Sequence, residues 1–366
     1  MENKKFKRTL KTALELVKKK MHVIYLTLIA SCYFLFPVIS NAQDIHFSQF
    51  YMSPLTLDPA LCGATHDLEA GINYKNQWKS VASSYKTFGA GVNLRLNKKK
   101  VQKGFWAGGI NFFSDKAGDS KMGTTQGNLT LAYHLLLSEH STLGAGLQGG
   151  FTQRSINYGA LQWANQYDGT NFNAALPSSE PTASNNYAFV DMGAGIVWTY
   201  SKSEKYMTGN DQRKINIGVA AFHPHQPEYS FYKTTGEKLH AKWVAHGELL
   251  MGINNTNLSL APGFMYLRQG RMQEIYAGMM FKYQLKESSK YTGNVKGSAF
   301  SLGAYYRFKD AFAITSLLEF SNYAIGFSYD VNTSGLTKAS NGKGGMEIAL
   351  RFTNPNPFRS GSKAMF

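Results

Sequence analysis

Over most of the chain, large apolar side chains alternate with small or polar ones at every second position. Tyr323, Ile325 and Phe327, for example, alternate with Ala324 and Gly326. A period of two is that of a β-strand, whose successive side chains point to opposite faces. One face of each strand is therefore bulky and apolar, and the other is small, glycine or polar. The pattern predicts a β-protein with one face of its sheet in an apolar environment.

The alternation divides into about fourteen segments, an even number, as a bacterial outer-membrane barrel requires. Most segments are longer than the usual strand of about 5–6 residues. At about 3.3 Å per residue and a tilt of about 40°, ten residues cover about 25 Å, the height of the apolar band of such a barrel. The predicted strands are 69–78, 85–96, 104–113, 123–137, 141–153, 187–200, 214–222, 240–252, 256–267, 271–284, 297–308, 311–320, 322–331 and 344–352.

A soluble β-sandwich shows the same alternation, because each of its sheets also buries one face. The length and number of the strands favour the membrane barrel over the sandwich, in which so many long strands are uncommon. We therefore expect an all-β protein: a transmembrane outer-membrane β-barrel of about 14 antiparallel strands, with an N-terminal periplasmic segment or plug.

Connection lengths indicate an orientation for this barrel. With an even number of strands both chain ends face the periplasm, where turns are short, and the longer loops lie outside. The long connections 154–186 and 223–239 fall outside by this count, and the short turn Ser138–His140 falls in the periplasm. Two connections depart from the trend, since 201–213 is long and Lys309–Asp310 is tight.

Residues 1–42 have the layout of a secretory signal peptide. A lysine-rich start precedes an apolar run over 23–39, and small residues precede a cut after Ala42. Three alternatives remain open for this stretch: translation from Met21, an uncleaved membrane anchor, and lipidation at Cys32. The mature chain is expected to consist of a periplasmic segment, a barrel and a tail, over 43–68, 69–352 and 353–366.

Composition narrows the function classes. The mean hydropathy of −0.29 is too polar for a bundle of transmembrane helices. Two cysteines exclude a disulfide framework. The formal charge of +16 falls to +10 in the mature chain, because residues 1–42 hold eight basic and two acidic residues. A secreted chain rarely meets nucleic acid, so no nucleic-acid partner is expected.

The segment 43–66 is rich in large apolar residues without a strand period. Pro54 and Pro59 interrupt regular structure there. Because exposing so much apolar surface is unfavourable, we expect the segment either to plug the barrel from below or to pack on another protein. Asp58 and Pro59 suit the N-cap and the first position of one helical turn.

Candidate catalytic and metal-binding residues are few. His223 and His225 have a spacing compatible with metal ligands, but no further ligand lies nearby, so a solvated external loop is the preferred interpretation. His240, His246 and Glu248 share one face of a predicted strand and suit a polar lining of the lumen. No motif joins a nucleophile, a base and an acid. We expect no catalytic site, no metal, no cofactor and no enzymatic activity.

Both ends of the mature chain carry distinctive runs. The opening reads Gln43-Asp44-Ile45-His46-Phe47-Ser48-Gln49-Phe50-Tyr51, then Ser53-Pro54-Leu55-Thr56-Leu57-Asp58-Pro59-Ala60. The closing strands contain Gly303-Ala304-Tyr305-Tyr306-Arg307, Gly326-Phe327-Ser328-Tyr329-Asp330 and Gly345-Met346-Glu347-Ile348. With these runs the chain resembles the PorP/SprF family of type IX secretion system membrane proteins. One departure is Asp58, which stands where the family pattern has Asn.

The resemblance implies an outer-membrane component of the type IX secretion system. Such a protein helps to deliver or anchor secreted proteins at the cell surface, in some cases gliding-motility adhesins. The implied partners are a secreted cargo protein or surface adhesin, periplasmic secretion and motor components, and outer-membrane lipid. The alternative function is a general porin or small-solute channel.

Partner contact is predicted mainly for the opening segment and for the outer rim of the barrel. Trp78 also suits an aromatic girdle at the membrane interface, and Thr333 and Ser334 also suit a plain turn. The predicted partner-binding residues are Asp44, His46, Phe47, Gln49, Tyr51, Asp58, Trp78, Thr333 and Ser334.

Overall fold

The second of the chain's two compact units, residues 43–366, contains every residue that the computed structural model describes. The predicted signal peptide lies outside the described residues, as do Cys32 and most of the predicted tail. The structure describes residues 44–80, 83–96, 103–180, 184–202, 210–232, 236–286, 297–335 and 337–354.

Within these residues, fourteen antiparallel strands form a closed barrel, so the predicted fold class is confirmed. Each strand pairs with its neighbours in sequence, and the last strand pairs with the first. The strands are β1 (Leu68–Gln77), β2 (Tyr85–Arg95), β3 (Gly104–Ala117), β4 (Met122–Leu136), β5 (Ser141–Ser155), β6 (Asn186–Lys202), β7 (Arg213–Phe222), β8 (Lys242–Gly252), β9 (Leu258–Gln269), β10 (Met272–Lys286), β11 (Ser298–Arg307), β12 (Ala311–Phe320), β13 (Tyr323–Asn332) and β14 (Lys343–Asn354).

The closing pair of strands leaves no free edge. β1 and β14 pair without interruption from Leu68 opposite Asn354 to Gln77 opposite Gly345. In hydrocarbon an unpaired strand edge is excluded, because its backbone N–H and C=O groups would have no partner. Closure therefore satisfies the main requirement for a β-structure that spans a membrane.

The bulky face of the sheet points outward, as the alternation predicts. Leu147 at the middle of β5 is 69% exposed, and Leu129 on the neighbouring strand is 65% exposed. The residues beside them, Gln148 and Thr130, are buried inside the barrel. An apolar outer surface with a polar interior is the reverse of a soluble barrel and matches a lipid environment.

The chain enters and leaves the barrel at the same end, because the number of strands is even. The two long connections 156–185 and 223–241 lie at the opposite end. Short periplasmic turns and long external loops orient such barrels, so the end that holds Leu68 and Asn354 faces the periplasm. This end is the periplasmic end below, and the opposite end is the outer end.

Helical structure is confined to single turns. Among the described residues, no helix has both the length and the apolar character needed to cross a bilayer. The turns cover Phe50–Met52, Pro54–Leu57, Pro59–Leu61, Tyr158–Ala160, Ala164–Gln166 and Thr337–Ser340.

Residues 44–67, here called the plug, fill the lumen. Phe50, Leu57 and Leu61 join a buried apolar cluster with inward side chains of the wall such as Val197 and Met265. Of the two expectations for this segment, packing inside the barrel is the one that the structure shows.

A charge placed in the apolar band should destabilise the barrel according to its depth. We expect Leu147→Arg to lower the free energy of unfolding by about 2–4 kcal/mol, because the side chain lies at mid-membrane. Gln153→Arg is the control, since it lies on the same face of β5 near the outer end, where the cost is about 0–1 kcal/mol. Urea unfolding in phospholipid vesicles measures both, and equal effects would contradict the assigned membrane depth.

Candidate functional site: the plugged lumen

The plug runs through the barrel from the outer end to the periplasmic end. The backbone N–H of Asp44 donates to Gln269, the last residue of β9, at the outer end. At the other extreme, the N–H of Gly63 donates to Asn93 near the periplasmic end of β2. The plug therefore spans the lumen, with its first described residue at the outer end and its connection to β1 at the periplasmic end.

The outer half of the plug is fastened to a carboxylate on β14. The backbone N–H groups of Ser48 and Gln49 donate to the two oxygens of Glu347, at 2.7 and 3.0 Å. The Gln49 side chain also donates to the backbone carbonyl of Glu347. Hydrogen bonds to a buried carboxylate are among the stronger ones, so this contact fixes the path of the plug.

Ser48 lies at the centre of a buried group of charges. Its hydroxyl donates to Asp330 at 2.8 Å and accepts from Lys75 and Arg307 at 3.1 Å each. Arg307 also donates to Glu274 and to Asp330. The outer charge cluster is defined as Lys75, Glu274, Arg307, Asp330 and Glu347.

All five members of the outer charge cluster are buried. Removing one partner of a buried charge pair typically costs about 3–5 kcal/mol, because the other charge is left unpaired. The plug contributes the hydroxyl and N–H groups that lie between these charges. Plug and wall therefore depend on each other in this part of the lumen.

His46 lies beside this cluster as a neutral imidazole. Burial, followed by the positive charges of Lys75 and Arg307, holds the pKa of His46 well below its ordinary value. Its Nε2 lies 3.4 Å from Glu274, but a neutral ring makes no ion pair there. His46 helps to hold the plug against the wall through its backbone carbonyl oxygen, which accepts a hydrogen bond from Lys75.

At the outer end, His223 joins the plug to the wall. Its ring nitrogens lie 2.6 Å from Asp191 on β6 and 2.6 Å from Asp44 of the plug. Burial lowers the pKa of His223, but the hydrogen bonds to the two carboxylates outweigh it and raise the pKa to about 9. The same contact and the charge of Lys242 hold the pKa of Asp44 below its ordinary value, against the effect of burial.

The solvated position expected for His223 is wrong, because its side chain is buried between two carboxylates. His225 does remain exposed and contacts the carbonyl of Val190. In the part of the chain that the structure describes, no group of three or more His, Cys, Asp or Glu side chains is arranged to hold a metal ion.

In the middle of the plug, the carboxylate of Asp58 makes polar contacts with both the plug and the wall. Its Oδ1 accepts from the backbone N–H of Ala60 at 2.7 Å, so the predicted N-cap is confirmed. Its Oδ2 lies 2.9 Å from His246 Nε2 on β8. Burial raises the pKa of Asp58, and the hydrogen bond to His246 acts against that rise. The inward position expected for His246 is confirmed, whereas His240 precedes β8.

The small inner face of the barrel is explained by the closeness of the plug. A Cβ atom added at Gly146 would stand 2.5 Å from the backbone nitrogen of Ala60. A Cβ atom at Gly89 would stand 2.9 Å from the ring of Phe47. Side chains at these wall positions would occupy the space that the plug fills.

The wall also satisfies backbone carbonyls in the lower half of the plug. Gln148 donates to Leu55, and His134 donates to Cys62 at 2.8 Å. Arg95 donates to two consecutive carbonyls, Gly63 at 2.6 Å and Ala64 at 2.8 Å. Buried carbonyls without partners are costly, so these contacts stabilise the plug in its descent.

Beneath the plug lies a cavity of about 490 Å³, here called the vestibule. The plug residues Phe50, Tyr51 and Leu61 form part of its lining. Its wall carries charges of both signs, contributed by Glu69, Arg95, Lys214, Glu248, Lys282 and Arg351.

The predicted partner-binding residues fall into two places. Those of the opening segment lie in the plug and contact the wall of their own barrel. The others lie at the outer end: the Trp78 ring packs against Tyr85 at 4.9 Å, and the N–H groups of Thr333 and Ser334 donate to Asp310. The N–H of Trp78 donates to the carbonyl of Gly344, which links the β1–β2 connection to the start of strand β14. Partner binding by all these residues remains a prediction.

A family sequence model described as "Type IX secretion system membrane protein PorP/SprF" matches residues 39–352. The match covers the plug and nearly the whole barrel. The chain belongs to the PorP/SprF family. The resemblance found in the two terminal runs is thereby confirmed, and this PorP/SprF barrel is an outer-membrane component of the type IX secretion system.

Solved outer-membrane barrels resemble this family member only distantly, and comparison with curated proteins gives no match. The toluene transporter TbuX of Ralstonia pickettii is 11% identical with a TM-score of 0.44, over 82% of this chain and 93% of that one. BamA from Haemophilus ducreyi lacking POTRA domains 1–3 is 9% identical with a TM-score of 0.40, over 78% and 70%. The translocator domain of autotransporter NalP from Neisseria meningitidis is 11% identical with a TM-score of 0.37, over 84% and 96%.

Sequence reasoning missed the wall side of the site in this PorP/SprF barrel. Lys75, Arg307 and Glu347 each occupy the polar face of a strand, which is the signal that could have marked them as plug partners. Asp191 likewise lies on the inward face of its strand, and the sequence does not distinguish it from the many other inward polar residues. Their partners are separated by up to 299 residues, a distance that no local pattern spans.

A side chain at Gly146 should displace the plug. Overpacking costs about 1–3 kcal/mol, so we expect Gly146→Val to accelerate maleimide labelling of the buried Cys62 about tenfold or more. Gly149→Val is the control, because a Cβ atom on that residue of β5 meets no atom within 4 Å. Equal labelling rates in the mature forms of both variants would show that the plug does not depend on the small inner face.

The contact between plug and wall at His223 should weaken in alkali. The pKa of His223 is raised from 6.5 to about 9 in the folded state, so its stabilisation is fully present below about pH 6.5 and is lost as the pH rises through about 9. We expect the free energy of unfolding in micelles to fall by about 1–3 kcal/mol over that range. His223→Gln should remove this decrease, and His225→Gln should retain it; an unchanged profile in His223→Gln would contradict the assignment.

Proposed function

We propose that this PorP/SprF barrel is a plugged platform of the type IX secretion system. Its outer loops deliver or anchor a secreted protein or surface adhesin at the cell surface, and its periplasmic end contacts secretion and motor components. The exported protein does not cross the lumen of this barrel. The proposal assigns the chain no enzymatic role.

The observation that carries the proposal is the plug. It contacts the barrel from His223 at the outer end to Arg95 at the periplasmic end. An exported polypeptide that crossed the lumen would have to break the buried contacts of the outer charge cluster. Each charge left unpaired by this would cost free energy. The same blockage argues against the alternative function of a general porin.

The outer loops support contact with a protein. Tyr167 and Phe172 in the 156–185 loop and Tyr232 in the 223–241 loop are large aromatic residues with exposed side chains. Aromatic side chains are enriched in protein interfaces because they bury much area at low entropic cost. The 156–185 loop contains Asp168 and Glu180 and no lysine or arginine, which suits a partner with a basic surface.

The vestibule supports contact at the periplasmic end. It combines side chains of both charges with the apolar underside of the plug, at Tyr51 and Leu61. A periplasmic partner that inserts a short segment there would touch the plug directly. The periplasmic turn residue Glu139 lines the same cavity and offers a position for a probe.

Photo-crosslinking in native membranes tests the platform. A benzophenone side chain at Tyr167 should capture an exported protein, and one at Glu139 should capture a periplasmic component, because each lies at the end assigned to that partner. Phe151 is the control, since its exposed side chain lies on the lipid face of β5. Identical products from Tyr167 and Phe151 would contradict the assigned cargo surface.

Ion conductance separates the platform from the porin. In planar bilayers the intact barrel should remain closed, and a variant lacking 44–66 should conduct, because the plug fills the lumen. Steady conductance by the intact barrel would favour the porin and refute the platform.

A further inference from the structure

The outward face of the barrel carries a pair of lysines directly opposite each other. Lys86 of β2 and Lys116 of β3 are cross-strand partners. Lys86 lies on the same outward face as Phe88, and Lys116 lies on the same outward face as Phe112 and Ile110. Like charges directly opposite on one face of a sheet destabilise the pair.

The position of this pair is at the outer edge of the apolar band. Toward the outer end of β2, Lys86 is the next lipid-facing residue after Phe88. Toward the outer end of β3, Ser114 follows Phe112 on the lipid-facing side, and Lys116 follows Ser114. Lysine side chains at such a depth extend their ammonium groups toward the lipid headgroups while their methylene stems cover apolar surface.

A cavity of about 980 Å³ lies beside this pair. Lys86, Lys116 and the turn residue Lys121 line it, and Leu161 and Gln162 of the 156–185 loop complete it. Asp119 is the one carboxylate among the lining residues, and Ser83 already donates to it. Across the described residues, no ion pair within 4.0 Å involves any of the three lysines.

We propose that Lys86, Lys116 and Lys121 form a binding site for the phosphate groups of an outer-leaflet lipid headgroup. Phosphate oxygens between Lys86 and Lys116 compensate the repulsion of the two facing ammonium groups. Lysine binds phosphate as a flexible point charge, which suits a ligand that approaches from the plane of the membrane. The cavity beneath the 156–185 loop accepts the headgroup, and the apolar band below holds the acyl chains.

A lipid is favoured over an acidic protein because of the direction in which the lysines point. Lys86 and Lys116 share their face with side chains in the hydrocarbon, and not with the lumen, where Thr87 and Asp115 contact each other. A soluble acidic partner would have to approach through the headgroup layer. A headgroup is already present at that depth.

Lipid retention by the intact mature barrel, measured by native mass spectrometry from zwitterionic detergent, tests the site. Diphosphoryl lipid A and its phosphate-free form are the probes. The barrel should retain the phosphorylated form in preference, and K86Q/K116Q should reduce that preference about thirtyfold. The control is K338Q/K343Q, which makes the same change of charge at exposed outer lysines away from the cavity and should keep the preference.

Four results would overturn the proposal. The first is equal retention of the two forms of lipid A by the unaltered barrel, and the second is an unchanged preference in K86Q/K116Q. Displacement of the lipid by an equal concentration of inorganic phosphate would indicate a free-anion site, and stronger binding of poly-glutamate would indicate an acidic protein partner.

Urea unfolding in the same detergent without lipid A supplies an independent readout. K86Q/K116Q should unfold at a urea concentration no lower than the unaltered barrel, because the substitution removes a like-charge pair. With diphosphoryl lipid A present the order should reverse. A lower midpoint in both conditions would assign the lysines a structural role and refute the site.

Discussion

The structure depends on one constraint: polar groups that face the lumen of a closed barrel must find partners inside it. Closure of β1 onto β14 pairs the backbone, but it also turns the side chains of Lys75, Arg307 and Glu347 inward, away from bulk water. A buried charge without a partner costs several kcal/mol. The plug supplies hydroxyl and N–H groups to these charges through Ser48 and Gln49. Wall and plug therefore form one polar network.

This dependence explains why the inner face is small where the outer face is bulky. Outward leucines and aromatic residues stabilise the barrel by contact with fluid lipid, so their shapes need not match those of a fixed neighbour. Inward positions such as Gly89 and Gly146 are limited by the atoms of the plug. The barrel is thus built around a fixed occupant, which distinguishes it from a channel whose inner face is shaped by passing solutes. That packing favours a platform over a channel whatever the loops bind.

The strands, their facing and the family were predictable from the sequence, because a period of two and short sequence runs are local signals. The occupant of the lumen was not, since alternation states which residues face inward but not what they contact. The composition of segment 43–66 suits a plug and a partner surface equally well, and only the contacts of Ser48 with Glu347 and of Asp58 with His246 decide between them. The burial of His223 was not predictable for the same reason, because it depends on carboxylates far away in sequence.

The direction of the plug links the two ends of the barrel. Asp44 is held by His223 at the outer end, and the same segment continues through Tyr51 to the roof of the vestibule. A periplasmic partner in the vestibule would therefore touch a segment whose far end is held by His223, the first residue of an outer connection. Coupling between sites requires an element whose states both sites bias. The plug reaches both ends of the barrel and differs from the strands in being held by side-chain contacts, so it is the part of this chain best placed to be such an element.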